Sequence, residues 1–149
     1  MEAVIFIGIQ GSGKSSFFRE RFFDTHVRIN LDMLRTRRRE ELLMGACLKA
    51  GQPFVIDNTN TLPSDRARYA QRARAAGFRT VAYFFESSLR EAMQRNNLRA
   101  GKQKVPAPAV VAAFKKLVPP SVDEGFDEIY TVKLIADGGF VVAKSSSQA

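Results

Sequence analysis

A chain of 149 residues with 45% hydrophobic content is sized for a single domain, 1–149, with a core of ordinary extent, and a second is not expected. Its 23 lysines and arginines against 15 aspartates and glutamates give +8, which favours polyanionic partners such as nucleic acid or phosphorylated substrates, although a basic surface kept for solubility gives the same count. One cysteine and one histidine exclude a disulfide framework and speak against a zinc centre; with no apolar run near the ~20 residues of a membrane span, and a first strand that leaves no room for a signal peptide, a soluble protein of the reducing cytoplasm is expected.

In chain order, Ala3 to Ser15 reads AVIFIGIQGSGKS. Val4 to Ile7 suits a buried parallel strand, and Lys14 to Phe23 carries Phe18 and Phe22 four apart, as a helix would. Between them Gly8-x-x-x-x-Gly13-Lys14-Ser15 fits the P-loop pattern. Gly8, Gly11 and Gly13 permit positive φ and close approach of a ligand, and Ser12 fills the remaining slot. Backbone N–H groups converge on phosphate, Lys14 reaches the β/γ oxygens, and the Ser15 hydroxyl ligates Mg²⁺. Ser16 follows at the start of the helix, whose positive end faces the anion.

Val27 to Asn30 is the second predicted strand, and Asp32 lies just beyond it, where an α/β sheet presents its carboxyl edge to ligands. Leu31 to Ala50 reads as one helix stopped by Gly51, with Leu34, Leu42, Met44 and Leu48 on apolar faces and Cys47 in the core. Its run Arg37-Arg38-Arg39 reads equally as a solvated face paired with Glu41. Pro53 to Asp57 is the third strand and ends in Asp57-Asn58-Thr59-Asn60-Thr61, placing a carboxylate where Mg²⁺ or its water would lie. A helix follows over Pro63 to Ala76, with Thr61 and Ser64 as caps, Gly77 as its stop and arginines 66, 68, 72 and 74 at the surface.

Phe78 to Phe85 is a core strand, after which the capping box Ser88-x-x-Glu91 opens a helix to about Ala100 with Arg95 and Arg99 on one face. The basic, glycine- and proline-bearing stretch at about 99–108 suits a lid that closes over phosphates. A helix over Val110 to Val118 precedes the last confident strand, Ile129 to Leu134. Phe140 to Val142 is a weaker strand behind the turn Asp137-Gly138-Gly139, and 144–149 is expected to fray. His26 is expected at the surface, with no chemistry. The alternation predicts an α/β, doubly wound, mostly parallel five-stranded sheet flanked by helices, a P-loop NTPase with a short lid.

Together and in this order, GIQGSGKSSF, INLDMLR, VIDNTN and RNNLRAGKQKVP resemble the 5′-hydroxyl polynucleotide kinase family of P-loop enzymes over about three-quarters of the chain. The resemblance implies that Gly8, Gly11, Ser12, Gly13, Lys14, Ser15 and Ser16 hold ATP and Mg²⁺, with Ser15 and Asp57 toward the metal. It implies Asp32 as the general base for an acceptor 5′-hydroxyl, Arg35 gripping the neighbouring phosphate, and Asp57 and Asn58 supporting the acceptor side. Arg99 would reach the β/γ phosphates, with Arg95 near the nucleotide. The implied acceptor is an RNA or DNA end. The fused phosphatase or ligase domain that members often carry is not in this sequence. A small-molecule kinase of the same fold and a nucleotide-binding ATPase module are the alternatives.

Overall fold

The run Ala3–Ile7 is completely buried and forms most of strand β1 (Glu2–Ile7), which pairs in parallel with β3 (Phe54–Ile56) on one side and β4 (Arg79–Phe85) on the other. A strand covered on both faces has no use for alternation, hence its unbroken apolar sequence. The computed structural model describes residues 1–101 and 104–145; positions 102–103 of the expected lid and 146–149 of the expected frayed tail lie outside the described residues. Strand β2 (Val27–Ile29) pairs with β3, β5 (Glu128–Leu134) with β4, and β6 (Phe140–Lys144) runs antiparallel to β5, in the order β2-β3-β1-β4-β5-β6.

The two faces of β1 go to separate cores. Ala3, Ile5 and Ile7 pack with Met44 and Cys47 of α3 (Arg37–Ala50) and with Tyr69 and Ala73 of α4 (Pro63–Ala75). Val4 and Phe6 pack with Phe17 and Phe18 of α1 (Lys14–Arg21) and with Phe22. Phe6 and Phe17 meet at 6.0 Å between ring centroids, and Phe17 meets Phe140 of β6 edge-on at 5.1 Å. Helices on both faces of a parallel sheet make the doubly wound arrangement.

The chain departs from the sequence expectations in several places. The sheet has six strands among the described residues, because Gly138 at φ 91° closes the Asp137-Gly138-Gly139 turn and Phe140 gains an aromatic partner on α1. Lys144, expected in the frayed tail, ends β6 opposite Tyr130. The predicted helix 31–50 is two: α2 (Leu31–Leu34) closes at Arg35, whose φ is 77° and whose N–H donates to Leu31 O at 2.7 Å, and Thr36 then caps α3 by accepting from Arg39 N. Leu42, expected on an apolar face, is 60% exposed.

Helix α4 starts without Thr61 or Ser64 as cap; the Leu62 N–H donates instead to Asp65. Arg66, expected at the surface, is completely buried. His26 is not a free surface group either: its side chain is 10% exposed and its Nε2 lies 2.7 Å from Glu2 Oε2. Helix α5 (Leu89–Asn97), capped by Ser88, stops before Arg99, so Arg95 and Arg99 do not share its face. Helix α6 (Ala107–Lys116) and a 3₁₀ turn (Val122–Glu124) complete the chain order.

Candidate phosphate-transfer site

The loop between β1 and α1 is held on three sides. Gly8 N donates to Thr59 O at 3.0 Å, tying the loop to the carboxyl end of β3. Ser12 is buried and its hydroxyl donates to Ile9 O at 2.7 Å, and Arg95 Nη1 donates to Gly11 O at 2.7 Å from α5. Gly11 sits at φ 80°, and a Cβ there would lie 2.3 Å from the carbonyl oxygen of Ala92. Only glycine satisfies both the conformation and the approach. Lys14 opens α1 and its ammonium donates to Gly8 O at 2.8 Å and Ile9 O at 2.9 Å. A glycine-lined turn leading into a helix N-terminus behind a lysine suits a polyphosphate.

Burial pushes the Lys14 ammonium down to about 8, against the raising influence of Asp57. A triphosphate binds the protonated form, so proton loss and nucleotide binding compete. Nucleotide affinity measured by titration calorimetry is expected to fall about tenfold per pH unit once pH exceeds about 8. Lys14→Met is expected to bind weakly with no such slope. A flat wild-type profile between pH 7 and 9.5 would show that the ammonium does not meet the ligand.

Strand β2 delivers a residue that the sequence reading passed over. Arg28 Nε donates to Asp57 Oδ2 at 2.8 Å and its Nη2 to Ser15 Oγ at 3.1 Å, so one guanidinium joins the two oxygens expected to face Mg²⁺. Asp57 is 2% exposed, at the end of β3, and this charge-assisted pair satisfies it. Alternation along a three-residue strand carried no signal that Arg28 points inward. Among the described residues no three His, Cys, Asp or Glu side chains cluster as a metal cage. Ser15 and Asp57 offer hard oxygens, and Mg²⁺ takes one or two such groups together with phosphate and water, so this donor set suits it when Arg28 gives way.

Asp32 is positioned through its neighbours. Leu31 N donates to Asn58 Oδ1 at 2.9 Å and Met33 N to Asn30 Oδ1 at 2.9 Å, while Asn30 Nδ2 donates to Asp57 O at 2.6 Å. The short helix α2 is thereby pinned to the end of β3 on both sides of Asp32. Asn58 is itself fixed, donating to Glu40 Oε2 at 3.0 Å; Glu40, 2% exposed, accepts from Tyr69 and from Arg37. The Asp32 carboxylate is exposed and makes no hydrogen bond or ion pair among the described residues.

A cleft of about 900 Å³ brings Gly11, Lys14, Ser15, Ser16, Asp32, Asp57, Asn58 and Arg99 together, with Arg19, Arg28, Arg37, Arg68 and Lys116 adding positive charge. Arg35 is not among its lining residues, since the turn at φ 77° directs the chain away toward α3. Arg95 lies behind the phosphate loop rather than in the cleft, and Gly8, Ser12 and Gly13 shape the loop from outside it. Beyond Arg99, Val105 lines the cleft and is clamped by the fully buried Asn96, which donates to its carbonyl at 2.6 Å and accepts from its N–H at 2.9 Å. Asn96 is a second residue the sequence reading missed.

Residues 34–119 match the family model described as an AAA domain; the matched span holds Asp57 and Arg99 but begins after the phosphate loop. Over 143 residues the chain is 32% identical to "Putative bifunctional polynucleotide phosphatase/kinase" of Acanthamoeba polyphaga mimivirus, covering 91% of this chain and 34% of that one. The chain thus spans about a third of that relative's length. A gluconokinase of Sinorhizobium meliloti 1021 shares the fold at 18% identity and a TM-score of 0.60, over 88% of this chain and 81% of its own. Chaetomium thermophilum Kti12, solved with ADP-AlF3, shares it at 15% identity and a TM-score of 0.62, over 88% of each chain. No helix among the described residues is long and apolar enough to cross a membrane.

Proposed function

The chain belongs to the AAA domain family and has the architecture of a P-loop kinase, and from that premise we propose that it transfers the γ-phosphoryl group of ATP to the 5′-hydroxyl of a polynucleotide. The observation that carries this reading is the placement of Asp32, exposed and unpaired, in the same cleft as Lys14 and Ser15. A carboxylate able to take a proton then faces a cradle able to hold the phosphates.

Lys14 and Ser15 would hold the triphosphate with Mg²⁺, whose charge offsets the negative charge gathering on the transferring group. Asp32 accepts the proton of the 5′-hydroxyl as that oxygen bonds to the γ-phosphorus. The bond to the β–γ bridging oxygen breaks, ADP departs, and Asp32 passes its proton to solvent. Arg99, which lines the same cleft, would oppose the charge spread over the equatorial oxygens. Arg28, which joins Ser15 and Asp57 before nucleotide binds, would release both oxygens as Mg²⁺ takes its place between them. The polynucleotide phosphatase/kinase similarity and the net charge of +8 support a nucleic acid end as acceptor.

Incubation with γ-labelled ATP, Mg²⁺ and a panel of 5′-hydroxyl oligonucleotides, nucleosides and sugars tests the reading. Label is expected on the oligonucleotides. Label confined to a small hydroxyl compound, or phosphate release that no acceptor alters, would overturn it.

A further inference from the structure

Beside the cleft, the groove between α3 and α4 encloses about 620 Å³ and is lined by Arg37, Arg38, Arg68 and Arg72 over an apolar floor that includes Leu42 and Met44. Catalysis as derived above makes no use of it. We propose that this groove binds the acceptor strand as a single-stranded polynucleotide, its phosphodiester chain running from the cleft past Arg37 and Arg68 to Arg38 and Arg72. This deepens the polynucleotide reading and rests on it.

Continuity is the first argument. Arg37, Arg68 and Tyr69 line both the cleft and the groove, so the two adjoin at these residues, and a chain whose 5′ end reaches Asp32 would pass over them into the groove. Charge is the second. Four arginines face two glutamates, of which the buried Glu40 neutralises only Arg37, its partner at 2.9 Å. Glu40 is buried with its oxygens already engaged by Tyr69, Asn58 and Arg37. Glu41 lies 3.7 Å from Arg72 with its side chain 72% exposed, a separation and exposure at which an ion pair is weak. The excess positive charge is therefore presented to solvent along the groove.

The floor supplies the third argument. Leu42 is 60% exposed and belongs to none of the buried clusters, although its position on α3 predicts an apolar face. Arg72 lies across α3 at Gly45, where a Cβ would come 3.8 Å from its Nη2, and its Nη1 is 3.8 Å from Met44 Sδ. A guanidinium that reaches along apolar atoms and donates to a thioether, beside the further arginines Arg38 and Arg68, suits bases on the floor and phosphates at the rim. Neither a neutral sugar nor a nucleoside needs such a track.

The test compares the wild-type protein with the double substitution Arg38→Gln/Arg72→Gln on two acceptors, a nucleoside 3′-monophosphate and a 5′-hydroxyl oligomer of about 12 nucleotides. Both positions lie outside the cleft, so kcat and the KM of the mononucleotide are expected to stay as in the wild type. The KM of the oligomer is expected to rise about tenfold, and the slope of its log affinity against log salt to flatten by about 1.4, the loss of two phosphate contacts on a single strand. Fluorescence anisotropy of a labelled oligomer reads the same loss without turnover. An unchanged oligomer KM, or an equal rise for both acceptors, overturns the groove while leaving the polynucleotide reading in place. A wild-type protein that labels the small acceptors but no oligomer overturns both.

Discussion

Asp32→Asn is expected to lower the rate of phosphoryl transfer by about 10²–10⁴-fold while leaving ATP affinity within about twofold of the wild type. The amide keeps the shape of the carboxylate, and the hydrogen bonds that place α2 are made by the backbone of Leu31 and Met33, so the local fold has no reason to move. What is lost is the acceptor of the hydroxyl proton. Nucleotide binding is insulated because Asp32 acts on Lys14 only behind burial, Asp57 and Arg99. Single-turnover kinetics with pre-bound labelled ATP, beside calorimetric titration of the nucleotide, separate the two effects. Transfer at the wild-type rate would remove Asp32 from the chemistry, and a parallel loss of ATP affinity would make it a nucleotide-binding residue instead.

Arg66→Met is expected to destabilise the fold by about 3–5 kcal/mol, the typical cost of breaking a buried ion pair by removing one partner. Arg66 is completely buried on α4, and its Nε and Nη2 donate to the two carboxylate oxygens of Glu124 at 2.9 and 3.1 Å. Its Nη1 donates to Val118 O at 2.7 Å and Asn60 O at 3.2 Å. One side chain therefore joins α4 to the polar turn after β3, to the strand of chain leaving α6 and to the 3₁₀ turn before β5. Methionine fills much of the volume but leaves Glu124 Oε1, Val118 O and Asn60 O without this donor, while Glu124 Oε2 keeps only the Ser121 N–H. Urea unfolding should show a lower midpoint with an unchanged slope, and the melting temperature should fall by roughly 6–20 °C. Adding Glu124→Leu is expected to recover part of the loss, since a paired apolar replacement leaves no charge unmatched. A loss under about 1 kcal/mol would mean that solvent reaches these groups and satisfies them.

These two residues mark what can be read from the chain alone. Asp32 follows a strand directly and lies within a run that resembles a known kinase element, so local signals suffice to single it out. Arg66 carries no local signal. Apart from Asn60, its partners are Glu124 and Val118, 58 and 52 residues away, and the four arginines at 66, 68, 72 and 74 look alike in sequence. Arg28 is invisible for the same reason, since its partners Ser15 and Asp57 come from β1–α1 and β3, brought together only by strand pairing. Arg35 shows the opposite failure: the Leu31–Ala50 run has helical periodicity throughout, yet a positive φ at Arg35 splits it, and Thr36 begins a new helix with its own cap.

By itself the sequence determined the α/β class, the parallel sheet and the location of the glycine-rich loop between β1 and α1. Each rests on interactions within a few residues: unbroken apolar strands, glycines that accept a positive φ, and helix stops at Gly51 and Gly77. Tertiary structure alone decided the break before α3, the buried Arg66–Glu124 clamp, the Arg28 bridge between Ser15 and Asp57, and that the weak strand at Phe140 joins the sheet antiparallel to β5 and runs to Lys144. It also decided that Arg37 and Arg68 line both the cleft and the α3–α4 groove. Burial and ion pairing between segments far apart in the chain are set by how the helices pack on the sheet, and a charged residue reads the same in a sequence whether packing leaves it in water or takes it out.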